Sequence, residues 1–208
     1  MNVLEAYTEW SNTYDDDRNL TRDLDEEVMR RTFAGTRYGA VLELGCGTGK
    51  NTTLLAQIAD SVQAIDFSVA MIERARRRAS FDNVKFIIGD VTKPWPFADA
   101  AINLIACNLV LEHIENLQFI FVEAGRVLAH GGNLFVSELH PFRQYRGTQA
   151  SFERDGQSHK VAAFLHDVTD FIDAALDNNL TLETIKEWRH EEDKDKPPRL
   201  ISFLFKKR

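Results

Sequence analysis

The chain has 208 residues, 44% of them hydrophobic and 27% charged, with a formal net charge of −7. That length holds one well-packed domain, and the acidic balance argues against nucleic acid as the main partner, since phosphates call for a basic face. No apolar run is long enough to span a bilayer, the first residues lack the basic and apolar regions of a secretory signal, and Cys46 and Cys107 form no CxxC pair. The expectation is a cytoplasmic protein with reduced thiols, monomeric or homodimeric.

From residue 20 onward, helical and strand patterns alternate. Leu20, Leu24, Val28 and Phe33 recur at helical spacing. Residues 40–44 form a short run, apolar on both faces, that suits a central parallel strand and ends at a cluster of glycines. A helix is expected over 51–59 and a strand over 62–66. Ser68 is placed to cap a helix that turns Met71, Ile72, Ala75 and Ala79 inward. Residues 84–88 read as a third strand stopped by Gly89 and Asp90, and 100–107 as a fourth.

A helix over 116–128 carries Leu117, Ile120, Phe121, Ala124 and Val127 on one face, with Gly131 and Gly132 expected to end it. Residues 133–139 make the fifth strand. The rhythm then changes. Segments 151–154 and 160–165, with Asp155 and Gly156 between them, read as a hairpin with a tight turn. A helix over 168–178 follows, then strands over 180–188 and 199–206. These flank EEDKDKPP (191–198), a charged, proline-ended loop expected to be mobile. The pattern predicts an α/β fold: a doubly wound, Rossmann-like sheet of seven strands, mostly parallel, with an antiparallel C-terminal hairpin and a small cap insertion.

The glycine cluster, VLELGCGTGKNT (41–52), fits three ligand classes unequally. A triphosphate-cradling loop needs GxxxxGK and then Ser or Thr; here Asn51 follows Gly49 and Lys50, and the earlier glycine would fall on Leu44. A dinucleotide fingerprint needs GxGxxG, and its third glycine would fall on Lys50, a long charged side chain.

The remaining pattern, ELGxGxG, resembles motif I of the class I S-adenosylmethionine-dependent methyltransferases. The resemblance continues in order through VQAIDFS (62–68) with Met71 and Ala75, through Gly89 and Asp90, and through NLVLEHI (108–114) and RVLAHGG (126–132). The last two are similar to the small-molecule branch that includes ubiquinone-biosynthesis enzymes. The resemblance implies S-adenosylmethionine as cofactor and a small molecule as methyl acceptor. Gly45, Cys46, Gly47 and Gly49 would then approach the methionine part, Glu43 its ammonium, Asp66 and Phe67 the ribose end, and Asp90 and Val91 the adenine. Asn108, Leu109 and the N-terminal Tyr14 complete the expected cofactor set, with Tyr7 and Trp10 in a segment that closes over it. The implied division is a lid and helix over 1–38, a cofactor-binding core over 39–140, a substrate cap over 141–167 and a C-terminal helix and strand pair over 168–208.

Reacting groups in such sheets lie beyond the carboxyl ends of the strands. Candidates are Asn108, Glu112 and His113 after strand four, and Glu138, His140 and Arg143 after strand five. His113 and His140 are the expected catalytic bases, because an imidazole accepts a proton near neutral pH; His166 is a third choice. One quinone O-methyltransferase subfamily carries ExxEH with a divalent metal. Here Leu109 replaces the first glutamate, so no metal is expected. Phe142, Tyr145, Phe152 and Phe164 would furnish the substrate cap. The alternatives are a cofactor-binding sensor without turnover and an NAD(P)-dependent oxidoreductase.

Overall fold

Strand β1 (Tyr38–Leu44) alternates its side chains between two apolar layers, and this alternation organises the molecule. In the computed structural model, which describes residues 2–154 and 156–208, Val41 packs on one face with Leu24, Val28 and Leu55. Leu42 and Leu44 pack on the other with Phe121, Phe171 and Phe203. Helices therefore cover both faces: α2 (Leu20–Thr32), α3 (Lys50–Ile58) and α4 (Val69–Arg78) lie in chain order before α5 (Leu117–Val127) and α7 (Val168–Leu176). No described helix is long and apolar enough to cross a membrane.

The other sheet strands are β2 (Ala59–Asp66), β3 (Val84–Ile88), β4 (Ile102–Asn108), β5 (Leu128–Leu139), β8 (Leu180–Trp188) and β9 (Leu200–Lys207). Their order is β3-β2-β1-β4-β5-β9-β8. The first five are parallel, and β9 runs antiparallel to both β5 and β8, as the sequence pattern predicts. The chain winds outward from β1 to β3 and then returns to the opposite side of β1 as β4. That reversal opens a crevice at the carboxyl ends of β1 and β4.

Two local expectations are corrected. Helix α5 ends at Val127 and β5 begins at once, so Gly131 and Gly132 lie within the strand and do not end the helix. There the register with β4 shifts, Gly131 takes φ 76°, and a Cβ on Gly132 would meet carbonyl oxygens of Ala129 and Asn103 at 2.9 and 3.1 Å. The second hairpin strand, β7, is Gln157–Lys160, paired to β6 (Ser151–Arg154), so 161–165 is not strand. Asp155, half of the expected tight turn, lies outside the described residues.

Loop 191–198 is anchored. Asp193 is 1% exposed and forms ion pairs with Arg143 at 2.8 Å and Arg199 at 2.7 Å. Burial pushes the Asp193 carboxyl up, but hydrogen bonds and charge from Arg199 and Arg143 outweigh this and hold it at about 2.

The N-terminal segment borders the crevice, with Val3, Tyr7 and Tyr14 lining it. Asn2 caps helix α1 (Val3–Trp10) through a capping box with Glu5. Trp10 is buried and stacks on Phe152 of β6, ring centroids 5.5 Å apart, with Ala6 and Val161 beside them. Of the four cap aromatics, only Phe152 turns inward; Phe142, Tyr145 and Phe164 are exposed.

Candidate active site

Residues from β1, β2, β4 and the N-terminal segment enclose a cleft of about 1130 Å³ including its open mouth. Its floor is the glycine loop. Gly45 and Gly47 adopt φ 65° and 53°, and a Cβ on Gly45 would stand 2.3 Å from Val110 Cγ2, so only glycine lets the loop pass under the segment after β4. Gly49 does not line the cleft: it takes φ 82° at the start of α3, where a Cβ would meet Ala75 of α4 at 3.1 Å.

Asp66 ends β2 beside this loop. Its Oδ2 accepts from the Gly47 amide and its Oδ1 from the Ser68 amide, both at 2.9 Å. Burial pushes its carboxyl up, offset in part by these amides. Two backbone donors thus fix the side chain while each oxygen keeps acceptor capacity for a ligand. Phe67, Asp90 and Val91 line the same wall. Asp90 is exposed, with Oδ1 taken by Thr92, and the Val91 carbonyl is taken by Trp95 Nε1 at 2.8 Å, leaving its amide as the group it can offer.

Beside the loop lies a polar nest built around Asp25, a residue that the sequence pattern does not announce. Asp25 of α2 is 4% exposed; it accepts from Asn108 Nδ2 (2.8 Å), Ser137 Oγ (2.7 Å) and Asn51 Nδ2 (2.8 Å). Those bonds leave the carbonyl oxygens of Asn51 and Asn108 buried without partners. Glu43 stands next to them, bonded by Thr52 Oγ1 at 2.5 Å, and burial pushes its carboxyl up to about 8. All of these except Ser137 and Thr52 line the cleft. Asn51 and Asn108 therefore offer acceptors that lack a donor, with the Glu43 carboxyl beside them, a set complementary to an ammonium group.

Among the described residues, two basic groups besides His113 line the cleft. Lys50 is tied to Asp23 and Glu26, each at 3.1 Å. Arg22 reaches the Tyr14 and Asp17 carbonyls and lies 4.0 Å over the Tyr14 ring. It faces no carboxylate at ion-pair distance among the described residues, which suits it to a ligand carboxylate. Tyr14, Cys46 and Leu109 also line the cleft, Leu109 at φ 56° with its amide bonded to the Ser137 carbonyl.

Of the two expected bases, the structure brings only His113 to the cleft. Its Nδ1 lies 2.7 Å from the Ala162 carbonyl, an acceptor only, so Nδ1 carries the proton. Nε2 then accepts from the Tyr7 hydroxyl at 2.8 Å. Burial, then Tyr14 and the carboxylates Glu112, Asp66 and Glu138, push the Tyr7 phenol up, keeping it a donor.

His140 is corrected: its Nδ1 caps the short helix α6 (Pro141–Tyr145) and its Nε2 faces Glu187 at 3.1 Å, outside the cleft. Position after β5 says which end of the sheet a residue occupies, not which way the chain then turns. Arg143 holds the carbonyls of Pro197 and Pro198, and His166 bonds the Ile114 carbonyl. Glu138 Oε1 accepts from the Val110 and Leu111 amides at 2.9 and 2.8 Å, bracing the segment that carries His113. No group of three or more metal-ligating side chains occurs among the described residues.

Comparison with known proteins agrees with this geometry. The family described as "Methyltransferase domain" matches residues 36–200. The chain is 27% identical over 161 residues to malonyl-[acyl-carrier protein] O-methyltransferase of Xylella fastidiosa, covering 76% of this chain and 55% of that protein. It is 36% identical over 107 residues to demethylmenaquinone methyltransferase of Tropheryma whipplei, covering 50% and 43%. It thus spans about half the length of these two relatives. The N-methyltransferase NodS of Bradyrhizobium japonicum, solved with S-adenosyl-L-homocysteine, superposes over 100% of this chain and 99% of its own with a TM-score of 0.76 at 18% identity. With the family match running from the start of β1 to the start of β9, the chain belongs to the class I S-adenosylmethionine-dependent methyltransferases.

Proposed function

We propose that the protein transfers a methyl group from S-adenosylmethionine to a small-molecule acceptor. The observation that carries this reading is the complementarity of the cleft: unpartnered acceptors at one end, and Asp66 clamped by the Gly47 and Ser68 amides at the other. Glu43, Asn51 and Asn108 hold the cofactor's ammonium, Arg22 its carboxylate, Asp66 the ribose hydroxyls, and Asp90 with the Val91 amide the adenine. When bound, the cofactor supplies an electrophilic methyl group on a sulfonium.

The chain's own part is to close the lid, exclude water, align the acceptor and receive its proton. Tyr7 spans the gap between lid and core, and its hydroxyl hands a proton to His113 Nε2 as it takes one from the acceptor. Residues 1–38 serve as lid and helix, 39–140 as cofactor-binding core, 141–167 as cap, and 168–208 as the closing helix and strand pair, in a cytoplasmic monomer or homodimer.

The test is incubation with methyl-labelled S-adenosylmethionine and a small-molecule metabolite extract. Label should enter a small molecule, and His113→Ala should slow this by about 100-fold or more. Cofactor binding without any transfer of label would favour a sensor instead.

A further inference from the structure

A second pocket adjoins the cofactor cleft. Tyr7, Tyr14, Arg22 and Leu109 line both chambers, so a single layer of side chains separates them. Trp10 walls the second one on the lid side, the stretch from Thr148 to Ser151 on the cap side, and Glu112 from below. Glu112 is the only acidic residue among its described lining. It is 6% exposed, and its Oε2 is buried without a hydrogen-bond partner.

Leaving a carboxyl oxygen so costs free energy unless something later satisfies it. The main chain around Glu112 is firmly held. Glu138 grips the two amides before it, and the Glu112 carbonyl accepts from the Phe164 amide at 2.7 Å. Gln144 also faces the Glu112 carboxyl, leaving Oε2 as its unpartnered oxygen. His113 Nε2, which receives the Tyr7 hydrogen bond, lies 3.8 Å from the other oxygen, Oε1. The unpartnered oxygen, the relay and the aromatic rings of Tyr7 and Trp10 therefore meet where the two chambers join.

We infer that this second pocket receives the methyl acceptor and that Glu112 sets its specificity, accepting a hydrogen bond from a hydroxyl or amino group on a small aromatic or conjugated molecule. The inference rests on the methyltransferase reading and adds the chemical class of acceptor to it. The rings of Tyr7 and Trp10 supply flat apolar contact, and Glu112 rejects molecules that bring no N–H or O–H, because its oxygen then stays unpaired.

The probes are phenol and aniline, with anisole and N,N-dimethylaniline as counterparts lacking the donor. Each is titrated by ligand-observed NMR into wild-type protein, Glu112→Gln and Glu112→Leu, all saturated with S-adenosylhomocysteine. Phenol or aniline should bind wild type at least tenfold more tightly than its methylated counterpart. Glu112→Leu should lose that preference, and Glu112→Gln, which keeps an acceptor oxygen, should retain part of it. Both variants should hold S-adenosylhomocysteine within twofold of wild type and melt no lower. Equal binding of donor and methylated probes to wild type, an unchanged preference in Glu112→Leu, or no binding of any probe at millimolar concentration would overturn the assignment. Failure of wild type to bind S-adenosylhomocysteine would instead sink the cofactor reading beneath it.

Discussion

Single side chains decide how this cleft responds to pH. Glu43 is pushed up to about 8 by burial, against about 4.3 in an unfolded chain. A raised carboxyl stabilises the fold fully below the unfolded value and loses that contribution as pH rises through 8. At pH 7 the cofactor-free protein therefore carries Glu43 protonated, and an arriving ammonium favours its ionised form. Cofactor binding at pH 7 should release about one proton; calorimetry in phosphate and in Tris would reveal it as a difference in apparent enthalpy, and equal enthalpies would refute it. Asp193 has the opposite sign: held at about 2, its contribution is present above roughly pH 4 and lost as pH falls through 2. Asp193→Ala strands Arg143 and Arg199 without their buried partner and should cost about 3–5 kcal/mol in chemical denaturation. Asp193 and Asp25 were both illegible in the sequence for one reason. Asp25 sits in an amphipathic helix and Asp193 in a charged loop, and each needs a partner far along the chain: Asn108 and Ser137 are 83 and 112 residues from Asp25, and Asp193, with Arg199 6 residues away, is also held by Arg143 of α6.

At the scale of elements, β1 was readable because a buried parallel strand leaves a short run apolar on both faces, and β2 to β5 followed from the alternation of short strand-like runs with helical patterns. Their ends were not, since Gly131 and Gly132 lie at a register shift with β4 that depends on pairing and not on local propensity. The lid is the element whose role is most exposed to test. It docks through Trp10 on Phe152 and through Asp15, which accepts from Thr48 Oγ1 at 2.8 Å and pairs with Arg78 at 3.0 Å. Trp10→Ala should weaken lid docking by about 3 kcal/mol while the two helix-covered cores remain packed. Limited proteolysis should then cut the first 18 residues readily, with a raised KM for acceptor; resistance equal to wild type would show that the lid is held some other way. Gly49→Ala tests a different joint. At φ 82° and with a new Cβ 3.1 Å from Ala75, it should lower Tm by separating α3 from α4, a loss a cofactor-contact role alone would not produce.

For the whole molecule, the central claim is that the reversal of strand order between β1 and β4 builds a cleft for S-adenosylmethionine. Helix α2 supplies Asp25, β1 supplies Glu43, β2 supplies Asp66, β4 supplies Asn108, and the segment after β4 supplies His113. Apart from Asp25, the motif order made these residues legible, but not the direction the chain takes after β5, where His140 turns away from the cleft that His113 reaches. The most direct measurement is a calorimetric titration of S-adenosylhomocysteine, with NADH as control, into wild-type protein and Asp66→Ala. The account predicts one site in wild type, no response to NADH, and a loss of roughly 1.5–3 kcal/mol of binding free energy in the folded variant, the scale of charge-assisted hydrogen bonds. Tight NADH binding without any response to the sulfur ligand, or an unchanged affinity in Asp66→Ala, would contradict it.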